Sequence, residues 1–218
     1  MRNNAPERGA RQPDSVLPAA ATGFLASLSL ILPIGAQNAF VLRHGLMRAH
    51  VLPLVLFCAA SDAVLISAGV AGFGLVAKQA PWLPTLMSIA GALFLLVYGA
   101  LRLRAALAGE YAMALDGRTG SLSRTLATAA AITWLNPHVY LDTLALLGAI
   151  SSGFEGSARV AFGAGAVMAS FAFFVALGYG SAFLAPVMSS ARAWRLLDFV
   201  IAAVMWTIAA GLLAPLIP

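Results

Sequence analysis

Apolar and polar positions along this chain segregate on the scale of whole helices. Six apolar runs, approximately 17–42, 51–76, 82–101, 124–150, 158–184 and 195–217, are separated by polar breaks. At 1.5 Å per residue each is long enough to cross about 30 Å of hydrocarbon. None shows the period-2 alternation of an outer-membrane strand. The pattern predicts an all-α polytopic membrane protein with six transmembrane helices. Residues 1–15 (MRNNAPERGARQPDS) are polar and predict a disordered tail, leaving 16–218 as a single transmembrane domain. A basic tail before an apolar run imitates a signal peptide. The run continues through Phe40, however, without a small-residue cleavage site after a short core, so it is read as an uncleaved first span.

Composition agrees with the pattern. Of 218 residues 61% are hydrophobic and only 10% charged, against about a quarter charged in an ordinary soluble domain. The 13 basic and 8 acidic residues leave a net charge of +5. The arginines flank apolar runs and no basic–aromatic patch accompanies them, so the charge speaks to topology and not to nucleic acid. Eight of the basic residues border the connections around 43–50, 102–123 and 185–194: Arg43, Arg48, Arg102, Arg104, Arg118, Arg124, Arg192 and Arg195. Five lie on the other side: Lys78, Arg159 and the tail residues Arg2, Arg8 and Arg11. Positive charge collects on cytoplasmic loops, so those three connections are expected inside and both termini outside. A first stretch that re-enters without crossing would put the N-terminus inside and leave the other loops in place. Cys58 is the single cysteine and reads as a small buried hydrophobe. No Cys/His spacing resembles a metal centre, and no cofactor is implied.

Three polar groups interrupt the apolar runs. Leu32-Pro33-Ile34-Gly35-Ala36-Gln37-Asn38-Ala39-Phe40 combines helix breakers with an amide pair. Backbone groups freed in a membrane must face protein or water, so this segment is expected to line an interior. Ser61-Asp62 falls near the middle of the second run. The third group is Ile132-Thr133-Trp134-Leu135-Asn136-Pro137-His138-Val139-Tyr140-Leu141-Asp142, inside the fourth run. Asn is a favoured N-cap and Pro a favoured first helical residue, so Asn136-Pro137 predicts the start of a half-helix at mid-membrane. Its N-terminal amides suit an anion such as a carboxylate. His138 and Asp142, four residues apart, share a face of that helix.

A carboxylate near the bilayer centre costs about 2.5–3.5 kcal/mol on insertion scales, and the only Lys or Arg within the runs, Arg124, Arg159 and Arg195, stand at their first or second residue. Asp62 and Asp142 are therefore expected to meet amides, water, a proton or a cation. Pro33 and Pro137 also admit reading as ordinary kinks, and His138 as a hydrogen-bonded structural histidine. Asp198, three residues after Arg195, is expected to form an ion pair with it, and His44 and His50 to lie in a solvated loop. Trp82 and Trp194 open runs three and six, at headgroup depth. Runs one to three and four to six compare as halves, about 17–104 and 124–217, each opening with a proline-broken helix. Three crossings per half make the halves two inverted three-helix repeats, a recurrent transporter architecture.

These segments resemble the LysE family of basic amino-acid exporters, and within it the arginine exporters. The likeness rests on Leu32 to Val41 (LPIGAQNAFV), Cys58 to Ile66 (CAASDAVLI) and Thr133 to Thr143 (TWLNPHVYLDT), and extends over all six runs. Ala36 departs from the family, which usually carries a second proline before Gln-Asn. The resemblance implies no enzyme but a transporter of the bacterial inner membrane, exporting L-arginine, with L-lysine and the analogue canavanine as further candidates. A basic amino acid presents a cation that Asp62 and Asp142 suit, and a carboxylate that the half-helix amides with Asn38 or Asn136 suit; Gln37 and His138 complete the candidate substrate- and ion-binding residues. Exporting a +1 species against an inside-negative potential costs about 2.3 kcal/mol per 100 mV, so proton antiport at an intramembrane carboxylate is the simplest coupling. Chemistry alone also admits exporters of neutral amino acids or divalent cations and, from another class, an intramembrane aspartyl enzyme. Monomer and homo-oligomer both stay open.

Overall fold

Leucine, alanine and valine dominate the apolar runs, and among the described residues they form helices throughout, with no strand. The structure is a computed structural model that describes residues 16–33, 35–72, 82–108, 120–184, 186–187 and 190–216. The tail 1–15, Ile34, and the segments carrying Lys78, Glu110, Asp116 and Arg118 lie outside the described residues.

The first apolar run divides into α1 (Val16–Ile31) and α2 (Ala36–Leu46), bent by 84°. Next come α3 (Val51–Val70) and α4 (Trp82–Ala108). Ser121 caps α5 (Leu122–Trp134) by accepting a hydrogen bond from the Arg124 amide. A new helix, α6, covers 137–151 as an α-turn Pro137–Tyr140, a π-helical stretch Leu141–Leu146 and a final turn Leu147–Ser151. The long helix α7 (Gly156–Gly180) continues as a 3-10 turn Ser181–Leu184. Ser190 caps α8 (Ala191–Leu213) by accepting from the Ala193 amide.

Four of these helices are long and apolar enough to cross a membrane: Val51–Val70, Ser88–Ala108, Gly156–Leu184 and Ala191–Leu216. The bent α1–α2 pair makes a fifth if it counts as one span. The run at 124–150 divides at Leu135-Asn136, between α5 and α6. α5, with 13 residues, reaches only about 20 Å by helical rise. Leu25, Val64, Leu93, Val97, Met168 and Leu196 are exposed, a girdle of large apolar side chains that suits lipid and not water. The chain is a multi-pass helical membrane protein.

Two helix pairs pack antiparallel. Along α3 and α7, Val55 meets Gly178, Asp62 meets Ser170 and Val70 meets Gly163. Along α4 and α8, Gly91 meets Leu212, Leu96 accepts a hydrogen bond from the Trp206 indole, and Arg102 meets Asp198. The closest approach is between α1 and α7. A Cβ at Gly23 would fall on the Phe162 backbone, and one at Gly165 on the Ala20 carbonyl. Small residues permit such contact, and in lipid that contact is a main source of helix association.

At the end of the bundle where α2 stops and α8 starts, three sequence expectations change. Asp198 is fully buried and pairs not with Arg195, which is exposed, but with Arg43 (3.2 Å) and Arg102 (3.7 Å). α2 and α4 extend past their apolar runs and carry these arginines inward. His44 is buried in α2, with Nδ1 donating to the Phe40 carbonyl (3.1 Å) and Nε2 left to accept from Thr125 (3.5 Å). His50 is half-buried and donates to the Gly120 carbonyl at 2.9 Å, tying the turn before α3 to the start of α5. Trp194 is buried beneath Arg43, whereas Trp82 is exposed. Cys58 is buried in the core.

Gly165→Val should destabilise the protein by about 1–3 kcal/mol, the usual cost of overpacking. Gly211→Ala, where a Cβ meets nothing within 4 Å, should be neutral. Thermal unfolding of the detergent-purified variants measures both, and an unchanged midpoint for Gly165→Val would remove this contact from the stability of the bundle.

Candidate functional site

Two helix breaks face one another across a single cavity. The first lies between α1 and α2. Pro33 supplies no amide, and the carbonyls at the end of α1 lose their helical partners. Asn38 takes them up, its Nδ2 donating to the Ile31 carbonyl (2.7 Å) and the Pro33 carbonyl (2.9 Å). Gly35, in extended conformation, begins α2 without a side-chain cap. The N-terminal amides of that helix are thus left without a protein acceptor from a cap.

The second break lies between α5 and α6. Asn136 is extended, its Oδ1 accepts from the His138 amide (3.1 Å), and Pro137 takes the first helical position. Tyr140 turns back and donates its hydroxyl to the Trp134 carbonyl (3.0 Å), which the break leaves free. Trp134 itself donates to Ser61 on α3 (3.2 Å), so the second break is tied to the residue before Asp62. The π-helical turns that follow contain Asp142. π-Turns widen a helix locally and recur at functional sites. They pack closely against α3, since a Cβ at Gly69 would strike the Thr143 carbonyl and Leu144, and one at Gly148 the Gly69 carbonyl.

Between the breaks lies a cavity of about 120 Å³. Pro33, Gly35, Gln37 and Asn38 line it from the first break, Asp62 from α3, and Asn136 and Asp142 from the second. Ser27, Leu30, Ile31, Ala36, Ile66, Val139, Thr143 and Leu147 complete the wall. The two carboxylates therefore share one space although 80 residues separate them in the chain. At about 30 Å³ per water the space holds a few waters, well below the 300 Å³ and more of pockets that enclose drug-sized ligands. An amino-acid-sized solute would have to part the surrounding elements.

Asp62 is buried and accepts a hydrogen bond from Ser170 on α7, 2.8 Å from its Oδ2. Asp142 is half-buried. Gln37 carries a buried Nε2 with no oxygen or nitrogen acceptor, only the weakly accepting Cys58 thiol beside it. Pro137 is buried beneath the second break. His138, by contrast, is exposed and does not line the cavity. Its ring nevertheless stays close enough to Asp142, four residues on, to act on that carboxylate electrostatically. Sequence reasoning missed Ser170. A serine among alanines and phenylalanines of an apolar helix carries no signal of its own, and only the antiparallel register of α3 and α7 reveals it. Among the described residues no group of three or more His, Cys, Asp or Glu is placed to hold a metal ion.

Comparison with known proteins is consistent with this geometry. The chain is similar to the arginine exporter protein ArgO of Salmonella paratyphi A and to that of Salmonella typhimurium. In each case 41% of positions are identical over 189 residues, covering 86% of this chain and 89% of the relative. The same protein of Salmonella enteritidis PT4 matches to the same extent. No solved structure matches. The family model described as LysE type translocator matches residues 28–215, which take in both breaks and every residue lining the cavity except Ser27. The chain belongs to the LysE family of translocators and is a membrane transporter, not an enzyme.

Proposed function

We propose that this translocator exports L-arginine, with L-lysine and canavanine as further candidate substrates, across a bacterial inner membrane. The observation that carries this reading is the meeting of Asp62 and Asp142 in one cavity, in a chain 41% identical to arginine exporters. The side-chain cation of the substrate lies between the two carboxylates. Its α-carboxylate lies at the uncapped N-terminus of α2, beside the Nε2 of Gln37, which meets no oxygen or nitrogen acceptor. That helix end suits an anion better than the start of α6, where Asn136 already occupies the His138 amide. Asn38 and Asn136 hold the breaks open around the substrate.

The bundle crosses the membrane six times as two inverted repeats, α1 to α4 and α5 to α8. Antiparallel packing of α3 on α7 and of α4 on α8 supports this, since an inverted two-fold relation pairs corresponding helices in opposite directions. Export against the membrane potential draws on inward proton movement. Asp62 binds either a proton or the substrate cation, and Ser170 holds its carboxylate in place.

Labelled arginine taken up by inverted membrane vesicles provides the test. Asp62→Asn and Asp142→Asn should each abolish uptake while the protein still inserts, and wild-type rates in both would overturn the site. Ser170→Ala should lower uptake about tenfold or more, because a hydrogen bond to a charged group contributes about 1.5–3 kcal/mol. An imposed pH gradient should drive accumulation in wild-type vesicles, and indifference to the gradient would exclude proton coupling.

A further inference from the structure

The Arg43–Asp198–Arg102 cluster lies away from the cavity and is incompletely satisfied. Two guanidinium groups crowd one carboxylate oxygen. Arg43 approaches Asp198 Oδ1 through Nε alone at 3.2 Å, and Arg102 Nη1 stands 3.7 Å from the same atom. Asp198 Oδ2 is buried and accepts no hydrogen bond, although the residue is fully buried. The Nη1 of Arg43 meets only the Met47 thioether, a weak acceptor, at 3.2 Å. The Nε of Arg102 and the indole nitrogen of Trp194 are likewise buried without partners. A guanidinium normally engages a carboxylate through two parallel N–H bonds, one to each oxygen. Here half of that fork is missing.

Position adds to the chemistry. Arg43, Arg48, Arg102, Arg104, Arg124, Arg192 and Arg195 belong to this end of the bundle, whereas Arg159 sits near Gly72 at the opposite end of α3. An arginine-rich end is the cytoplasmic end, from which an exported solute arrives. Arg43 also lies on α2, the helix whose first turn carries Gln37 and Asn38 to the cavity. Five residues, about 7.5 Å of helical rise, separate Asn38 from Arg43. The ring of Trp194 already lies under Arg43, 5.7 Å from its guanidinium carbon, and is a contact that side chain keeps if it lets go of Asp198.

We propose that Asp198 is an inner recognition site for the substrate guanidinium, and that Arg43 occupies it as a tethered stand-in that keeps the cytoplasmic path to the cavity closed. An incoming guanidinium completes the fork on both oxygens of Asp198, Arg43 gives up the carboxylate and is left with Trp194, and α2 is released to admit the solute. The exchange is noncovalent and conserves charge at Asp198. It rests on the arginine-export reading above.

Uptake of labelled arginine into inverted vesicles, with KM at the exposed cytoplasmic face as readout, tests the proposal. Asp198→Asn should raise KM about tenfold or more, the loss of one charge-assisted hydrogen bond or greater. Arg43→Gln should lower KM, because the internal competitor is gone. A purely structural ion pair predicts losses in the same direction for both variants, and that result would overturn the proposal. If Asp198→Asn fails to insert, Arg43→Gln decides alone, and an unchanged or raised KM refutes the stand-in. Wild-type vesicles that take up no arginine would bring down the functional reading and this one together. Wild-type uptake with no fall of KM in Arg43→Gln would bring down only this one.

Discussion

A backbone carbonyl or a carboxylate held in hydrocarbon has no water to bond, and each must find a partner within the chain or leave the membrane. The architecture of this transporter follows from that constraint. An unbroken helix meets it automatically, which is why α3, α4, α7 and α8 tolerate almost wholly apolar sequences. Each broken helix meets it with a particular side chain. Asn38 reaches back over the first break to two carbonyls, and Tyr140 reaches back over the second to one. Ser170 does the same for Asp62. Asn38 and Asn136 thus serve twice, once in satisfying the breaks and once in lining the space between them.

That double role explains what the sequence discloses. Asn136-Pro137 is legible because capping chemistry is local: an amide acceptor followed by a residue with no amide to donate marks a helix start wherever it occurs, and α6 begins there. The apolar runs are legible because their length is compared with a fixed thickness. At 124–150 length alone would hide the division, since it counts residues and ignores that Leu135 and Asn136 leave the helix; the Asn-Pro pair discloses it. His138 keeps the neighbourhood of Asp142 that its spacing of four suggests but stays outside the cavity lining, which the spacing alone does not reveal. Ser170 and the partners of Asp198 are invisible in the sequence because they depend on register between helices distant in the chain. For Asp198, the nearest arginine in sequence was three residues away, but the two that bind it come from α2 and α4.

The first break gives α2 a peculiar standing among the helices. It is 11 residues long, is joined to α1 through a bend of 84°, and packs on α3, α7 and α8 without spanning the bundle itself. Its N-terminal turn faces the cavity while its C-terminal turn holds Arg43 against Asp198. A Cβ at Gly45 in that last turn would strike the Gly178 carbonyl and the Ser181 hydroxyl, so this end lies directly on α7, the helix that also carries Ser170. A short rigid helix seated this way cannot change the contacts at one end without displacing the other. The broken helix is therefore more than a way of exposing polar backbone at mid-membrane. It places the cavity-lining Gln37 and Asn38 and the arginine that pairs with Asp198 on the same eleven residues, which is what the proposed gating would use.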